Sequence, residues 1–469
     1  MKKKQAALGV VVAVAAGAAL WGIDRWKPFG PDWPEEWEPR VAPLASYVER
    51  HAGFGFDHPV PVRFLGDEEF NELVTEDEED LTDEDKAYYE NVGSLLRALG
   101  LADGKVDIFE DQNTLNAGRI LAYYSPSDRE MVIRADEKTL QGAPLSPSLR
   151  AVVIHELTHA AQDQEFGLRK MRERAQDSGQ GEAITTLIEG HALSVETQYV
   201  SDNFSDEERE EYELGTSESD DTDLSEIPQI LSAQQMAPYV FGPTFMAALE
   251  REPGFDVNDA FLKKQPRSLE QVILPSKYFR GDDPEDIEAP KKPKGAEFIF
   301  DEQINQLDLY FLIARTLGAP LALRYSDSWG NGAYTVYSTR TEDGNDVVCA
   351  AIHLRGETDT DTENLAAAFE KWADRESMVD ASAELRDEVV AITACDPGES
   401  TEHELPTEDD TSQIFWRSGD IAYIWQSEPG VDAECAATGL YTEFTVEELT
   451  SNEAVVPRYN ELLSECALD

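Results

Sequence analysis

The sequence predicts an α+β fold in two parts: a larger, mainly helical part and a smaller C-terminal α+β domain. Three observations lead there. Apolar residues recur at helical spacing in several stretches between residues 147 and 318. A short strand, "HPVPVRFL" (58–65), and a hairpin signal around Ser125-Pro126-Ser127-Asp128 precede that helical region. From Ala333 onward the pattern changes to β-rich runs. The boundaries that follow are 1–27 for an N-terminal segment, 28–325 for the larger domain and 326–469 for the smaller one.

The chain has 469 residues, long enough for more than one domain and a sizeable core. Its formal net charge is −56. A surface of that sign repels phosphate and argues against nucleic acid as a partner. At the N-terminus three lysines precede an unbroken apolar run from Ala6 to Ile23. The run is long enough for a transmembrane candidate, and its lysines would stay inside. The expectation is a single membrane anchor with the bulk of the chain outside the cytoplasm. A cleaved secretory signal is the alternative, which would leave the protein secreted. Residues 24–40, rich in Trp and Pro, then read as a spacer beside the membrane.

Taken in order, the acidic stretch 67–90 contains helix formers and reads as solvated helix. "AGRILAYYSPSDREMVIRAD" (117–136) reads as the hairpin. Ser146 and Pro147 then mark a helix start, an N-cap followed by an N1 proline. A second helix is expected from Glu182 to about Tyr199, and the acidic, Ser/Thr-rich stretch 202–226 as a mobile loop. Helices follow at 239–250, 256–264 and 305–318, with a charged, Pro-rich connection at 281–295. The smaller domain is expected to hold strands "AYTVYS", "DVVCAAIHL", "EVVAITAC", "SQIFWRS" and "DIAYIW", a helix at 363–374 and a terminal helix. All four cysteines, Cys349, Cys395, Cys435 and Cys466, lie in it. An even count in an exported chain suggests two disulfides, with three connectivities open.

The chemistry concentrates in "AVVIHELTHAAQDQ" (151–164). His155 and His159, four apart, lie about 40° from each other on a helix, so both imidazoles can bind one Zn²⁺. Glu156 can serve as general base towards an activated water without being a ligand. A third ligand is needed, and Glu182, Glu189, His191 and Glu196 are the downstream candidates. The three glutamates are spaced by seven and share one stripe of an otherwise largely apolar helix. A carboxylate buried there needs a partner. His191 points some 200° away from Glu189 and reads as a structural histidine.

"HELTH" followed by a helix carrying "EGHA" resembles the glutamate-zincins, or gluzincins. These are zinc metallopeptidases whose third ligand is a glutamate on the next helix. The resemblance implies a zincin-like domain with one Zn²⁺ held by His155, His159 and Glu189, and Glu156 as base. The gap between ligands is longer than the usual figure of about twenty residues, and a loop at 168–181 would fill it. "LAYYSPSDREMVIRA", "HAAQDQEF", "PYVFGPTF", "PRSLEQVILPSKYF" and "SWGNGAYTVY" also resemble a less characterised branch of exported or membrane-anchored gluzincin-like proteins, over about residues 95–375. Leu274-Pro275 stands where those relatives carry His-Pro. Leu193 stands where many gluzincins place an Asp that orients a zinc-bound histidine. Asp163, four after His159, is the candidate substitute. Tyr239 is the candidate oxyanion donor and Tyr278 the second.

The function expected is a zinc-dependent peptidase acting on peptides or proteins. The alternative is a catalytically impaired zincin-like surface protein that uses zinc structurally or binds a partner. A zinc hydrolase of non-peptide amides is a third reading.

Overall fold

The structure is a computed structural model that describes residues 33–177, 180–218, 227–341, 344–375, 378–403, 405–451 and 453–468. Mixed α and β structure is observed, as the sequence predicts. The chain begins with α1 (Ala42–His51), β1 (Val62–Leu65), α2 (Asp67–Val74), α3 (Asp83–Ala98) and α4 (Ile108–Arg119). Thr82 and Asp85 form a reciprocal capping box that starts α3 inside the acidic stretch. The hairpin follows as β2 (Ala122–Ser125) and β3 (Glu130–Arg134). These strands pair antiparallel, and β1 joins β3 in parallel, so β2 is the edge of a three-stranded sheet.

After α5 (Glu137–Leu140) comes α6 (Pro147–Phe166). The Ser146 hydroxyl accepts from Leu149 N at its start, and Gly167 ends it in the left-handed region at φ 68°. Next come α7 (Leu168–Asp177), α8 (Gly181–Asn203), α9 (Asp206–Glu218) and α10 (Gln229–Arg251). Two expectations are corrected here. The stretch 168–181 is largely the helix α7, not a loop. Within 202–226, residues 206–218 form α9, and the end of that stretch lies outside the described residues. Short helices α11 (Val257–Leu262), α12 (Leu269–Ile273) and α13 (Pro275–Arg280) lead to β4 (Glu297–Gln303), α14 (Gln306–Leu317) and α15 (Ala319–Ser326).

The remaining chain forms β5 (Trp329–Arg340), β6 (Asp346–Gly356), α16 (Asp359–Ala373), β7 (Val379–Arg386), β8 (Val389–Cys395), α17 (Glu408–Ser427), α18 (Ala433–Tyr441), α19 (Val446–Ser451) and α20 (Val455–Glu465). The second sheet is antiparallel in the order β4-β5-β6-β8-β7. It draws β4 from before residue 325, and one hydrophobic cluster runs from Val92 to Cys466. The strands expected in "SQIFWRS" and "DIAYIW" are instead one helix, α17. Its buried residues Ile414, Arg417, Ile421 and Ile424 recur every three or four positions. That periodicity, with a Thr407–Asp410 capping box, outweighs the β-propensity of the Ile, Phe and Trp side chains.

Cys349 pairs with Cys395 across the facing strands β6 and β8, and Cys435 with Cys466, joining α18 to the end of α20. Disulfides of this kind suit an oxidising environment. The expected membrane location is corrected. Among the described residues no helix is long and apolar enough to cross a membrane, and the apolar run Ala6–Ile23 lies outside them.

What positions the candidate site is the packing of α6. It lies against α8 on one side and against the edge strand β2 on another. The crossing of α8 and α10 is close because it is made of two glycines. A Cβ on Gly190 would sit 2.5 Å from Gly242 Cα. The glycine of "EGHA" is thus a packing requirement that seats the neighbouring Glu189.

Candidate metal centre

His155 and His159 project from α6 and Glu189 from α8 towards one point. Ligand atoms from the three residues lie within 4.8 Å of one another. Both imidazoles approach the same carboxylate oxygen: Glu189 Oε2 is 3.2 Å from His155 Nε2 and 3.1 Å from His159 Nε2. His155, Glu156 and His159 retain 7–9% exposure, whereas Glu189 keeps 2%. The small remaining exposure of the group is thus on its α6 residues, and Glu189 is its most deeply buried member.

Hydrogen bonds behind the imidazoles decide which ring nitrogens face this point. His155 Nδ1 is 3.1 Å from Glu196 Oε2, a carboxylate that can only accept when ionised. Gln162 Nε2 donates to the Ile188 carbonyl at 3.1 Å, which fixes its amide orientation. Gln162 Oε1 must then accept from His159 Nδ1, at 2.8 Å. With both Nδ1 protons committed, each Nε2 is left facing Glu189 Oε2. A gap between two imidazole lone pairs and a carboxylate oxygen takes a proton or a cation. Electrostatics point the same way. Burial alone would lower the His155 pKa, but Glu189 and Glu196 carry it well above the usual value. Burial alone would raise Glu189, and the His159 and His155 imidazoles hold it well below the carboxylate range. Two imidazole nitrogens and one carboxylate oxygen of this kind are a donor set that can hold a metal ion.

Glu156 stands beside the triad without joining it. Its Oε2 accepts from the Tyr124 backbone N at 2.7 Å, so the edge strand β2 holds the carboxylate in place. Burial raises its pKa, which suits a group that takes up a proton. Tyr239, on α10, lies with its ring centroid 6.2 Å from that of His155, and its phenol bonds to Glu189. Burial, then the charges of Glu189 and Glu156, push that phenol well above its usual value.

Asp163 is not brought to the histidines. Its carboxylate accepts from Tyr124 OH at 3.0 Å and from Leu168 N at 2.9 Å, tying α6 to β2 and to the start of α7. The orienting partner of His155 is Glu196, which in turn accepts from Tyr212 OH on α9 at 2.9 Å. Glu196 was visible as part of the seven-residue stripe, because two turns of helix bring it back to the Glu189 face. Gln162 and Arg172 carried no comparable signal. Tyr278 is also remote, donating its phenol to the Lys264 carbonyl at 2.7 Å. Leu274 is buried at the junction of α12 and α13. His191 is buried, receives Gln162 Nε2 on Nδ1 at 3.0 Å, and is held down to about 4 by burial. Glu182, the other end of the stripe, faces Asp308 and Glu302, with Asn305 bonding to it. A surface cleft of about 460 Å³ lined by Glu285, Asn331, His353 and Arg355 is separate from all of these.

What the fold and site define is a two-histidine, one-glutamate centre shared between two packed helices. No known family model, curated protein or solved structure matches this chain.

Proposed function

We propose that the chain is a zinc-dependent peptidase of gluzincin type. The observation that carries this reading is the meeting of His155 Nε2, His159 Nε2 and Glu189 Oε2 at one point beside Glu156. When bound, the metal supplies a Lewis acid that polarises a carbonyl and lowers the pKa of a water. The chain's own residues do the rest. Glu156 takes the proton at its carboxylate and can return it to the leaving amine. The Tyr124 N–H anchors one oxygen of Glu156, so Oε1 is the oxygen that takes the proton. Glu196 and Gln162 hold the two imidazoles in the tautomer that presents Nε2. Tyr239, whose phenol bonds to Glu189 beside the two imidazoles, is the proposed donor to the oxyanion, a role that requires it to leave Glu189 as substrate binds.

The test is Glu156→Gln in purified protein, with zinc content and cleavage of unfolded protein substrates measured together. The reading expects one zinc per chain in both proteins and cleavage only by the wild type. Cleavage by Glu156→Gln at the wild-type rate would overturn it. The tight burial of the centre favours one alternative, a zinc held for structure alone. In that case both proteins bind zinc, neither cleaves, and removing zinc lowers the melting temperature.

A further inference from the structure

The two oxygens of Glu189 have different surroundings. Oε2 faces both imidazoles, at 3.2 and 3.1 Å. Oε1 faces away from them and accepts from Arg172 Nη2 at 3.1 Å. Arg172 comes from α7, the helix that fills the long gap between the HELTH segment and Glu189. Its side chain is 13% exposed and that of Glu189 3%, so water screens the pair weakly.

We propose that Arg172 is a positioning residue that keeps Glu189 a one-oxygen metal ligand. The inference rests on the reading of His155, His159 and Glu189 as the metal ligands. A carboxylate beside a divalent ion can bind through one oxygen or both. Here the guanidinium engages the second oxygen and draws off part of the carboxylate's charge. Both effects leave the metal more electrophilic and keep a coordination position available for water. Arginine suits this role because its charge persists under burial, where a lysine ammonium readily loses its proton. With that guanidinium removed, Oε1 loses its charged partner, the neutral Tyr239 phenol being the partner Glu189 keeps, and it can turn onto the metal and close the position.

The experiment uses the full chain loaded with Co²⁺, whose visible absorption reports coordination number. Wild type, Arg172→Met, Arg172→Gln and Arg172→Lys are compared at equal cobalt content, with folding checked by circular dichroism. The expected result is one cobalt per chain throughout. Absorption is weakened in the Met and Gln variants, as a fifth ligand atom joins, and intermediate in Lys. In the zinc-loaded proteins, kcat falls about 10- to 100-fold in Met and Gln while KM changes little. Should Met fail to fold, Gln carries the same expectation. An unchanged cobalt spectrum in a folded, cobalt-loaded Met or Gln variant overturns the proposal and leaves the metal centre intact. A wild type that takes up no cobalt overturns the reading of the centre itself, and the role of Arg172 with it.

Discussion

Glu182 and Glu189 sit two turns apart on the same stripe of α8, yet they have opposite chemistry. Glu189 meets two imidazoles and an arginine, and its carboxyl is held well below the usual range despite burial. Glu182 meets other carboxylates, and burial together with Asp308 and Glu302 pushes it well above. The helix that carries them is the same, so the difference lies in what packs opposite. α6 and α7 supply positive charge to one glutamate. The α14 region and β4 supply negative charge to the other. A carboxylate stripe in a sequence therefore marks desolvated acids without saying which of them holds a cation.

The largest disturbance to this contrast should come from a residue that is not a ligand. Gly190→Ala places a Cβ 2.5 Å from Gly242 Cα, with backbone rather than a flexible side chain in the way. We expect a loss of about 1–3 kcal/mol or more in urea unfolding, because α8 and α10 must separate. Zinc binding should weaken with it, since Glu189 moves with the helix, and a titration against a chelator reads that change. Wild-type affinity in Gly190→Ala would mean that the crossing does not seat the ligand.

A smaller effect is expected from Glu196→Ala, which frees His155 Nδ1 and the Tyr212 phenol. Zinc affinity should fall about 10- to 100-fold, the usual cost of removing the partner behind a ligating histidine. Asp163→Ala should leave that affinity within a few-fold of wild type, because Asp163 bonds to Tyr124 and Leu168 and not to a histidine. Equal losses in the two variants would restore Asp163 to the orienting role suggested by its spacing.

The smallest effect concerns the Glu182 side of the comparison. Burial carries the Asp308 carboxyl up to about 7, against hydrogen bonds from Gln234 and Asn305, and the Glu302 charge adds to the rise. The folded state thus binds this proton more tightly than the unfolded chain, whose Asp pKa is about 3.9. The resulting stability is fully present below pH ~4 and is lost as pH rises through ~7. Asp308→Asn lacks that loss. Between pH 5 and pH 8 its unfolding free energy should fall by at least ~1 kcal/mol less than that of wild type. Parallel pH profiles for the two proteins would contradict the assignment.

Much of the frame was legible in the sequence for local reasons. Ser146-Pro147 marks the start of α6, the hairpin signal marks β2 and β3, and the HELTH spacing puts two imidazoles on one helix face. Glu189 needed more than spacing, because Glu182 and Glu196 share its stripe, and it was the resemblance to gluzincins that singled it out. The rest depends on contacts between distant segments. Asp163 has the right offset from His159, but Tyr124 and Leu168 approach it first. Arg172 lies in a stretch with few apolar residues that reads as a loop, and only the packing of α7 on α8 turns it towards Glu189. In α17, Ile, Phe and Trp suggested strands, while its burial pattern follows a helix.

The central claim is that the His155–His159–Glu189 group holds one metal ion while Glu182, on the same stripe, holds none. Zinc content per chain, measured by elemental mass spectrometry on wild type, Glu189→Gln and Glu182→Gln after dialysis against sub-micromolar zinc, tests it most directly. The account predicts one equivalent in wild type and in Glu182→Gln, and near zero in Glu189→Gln. A wild-type chain without zinc, or a Glu189→Gln chain that keeps a full equivalent, would contradict it.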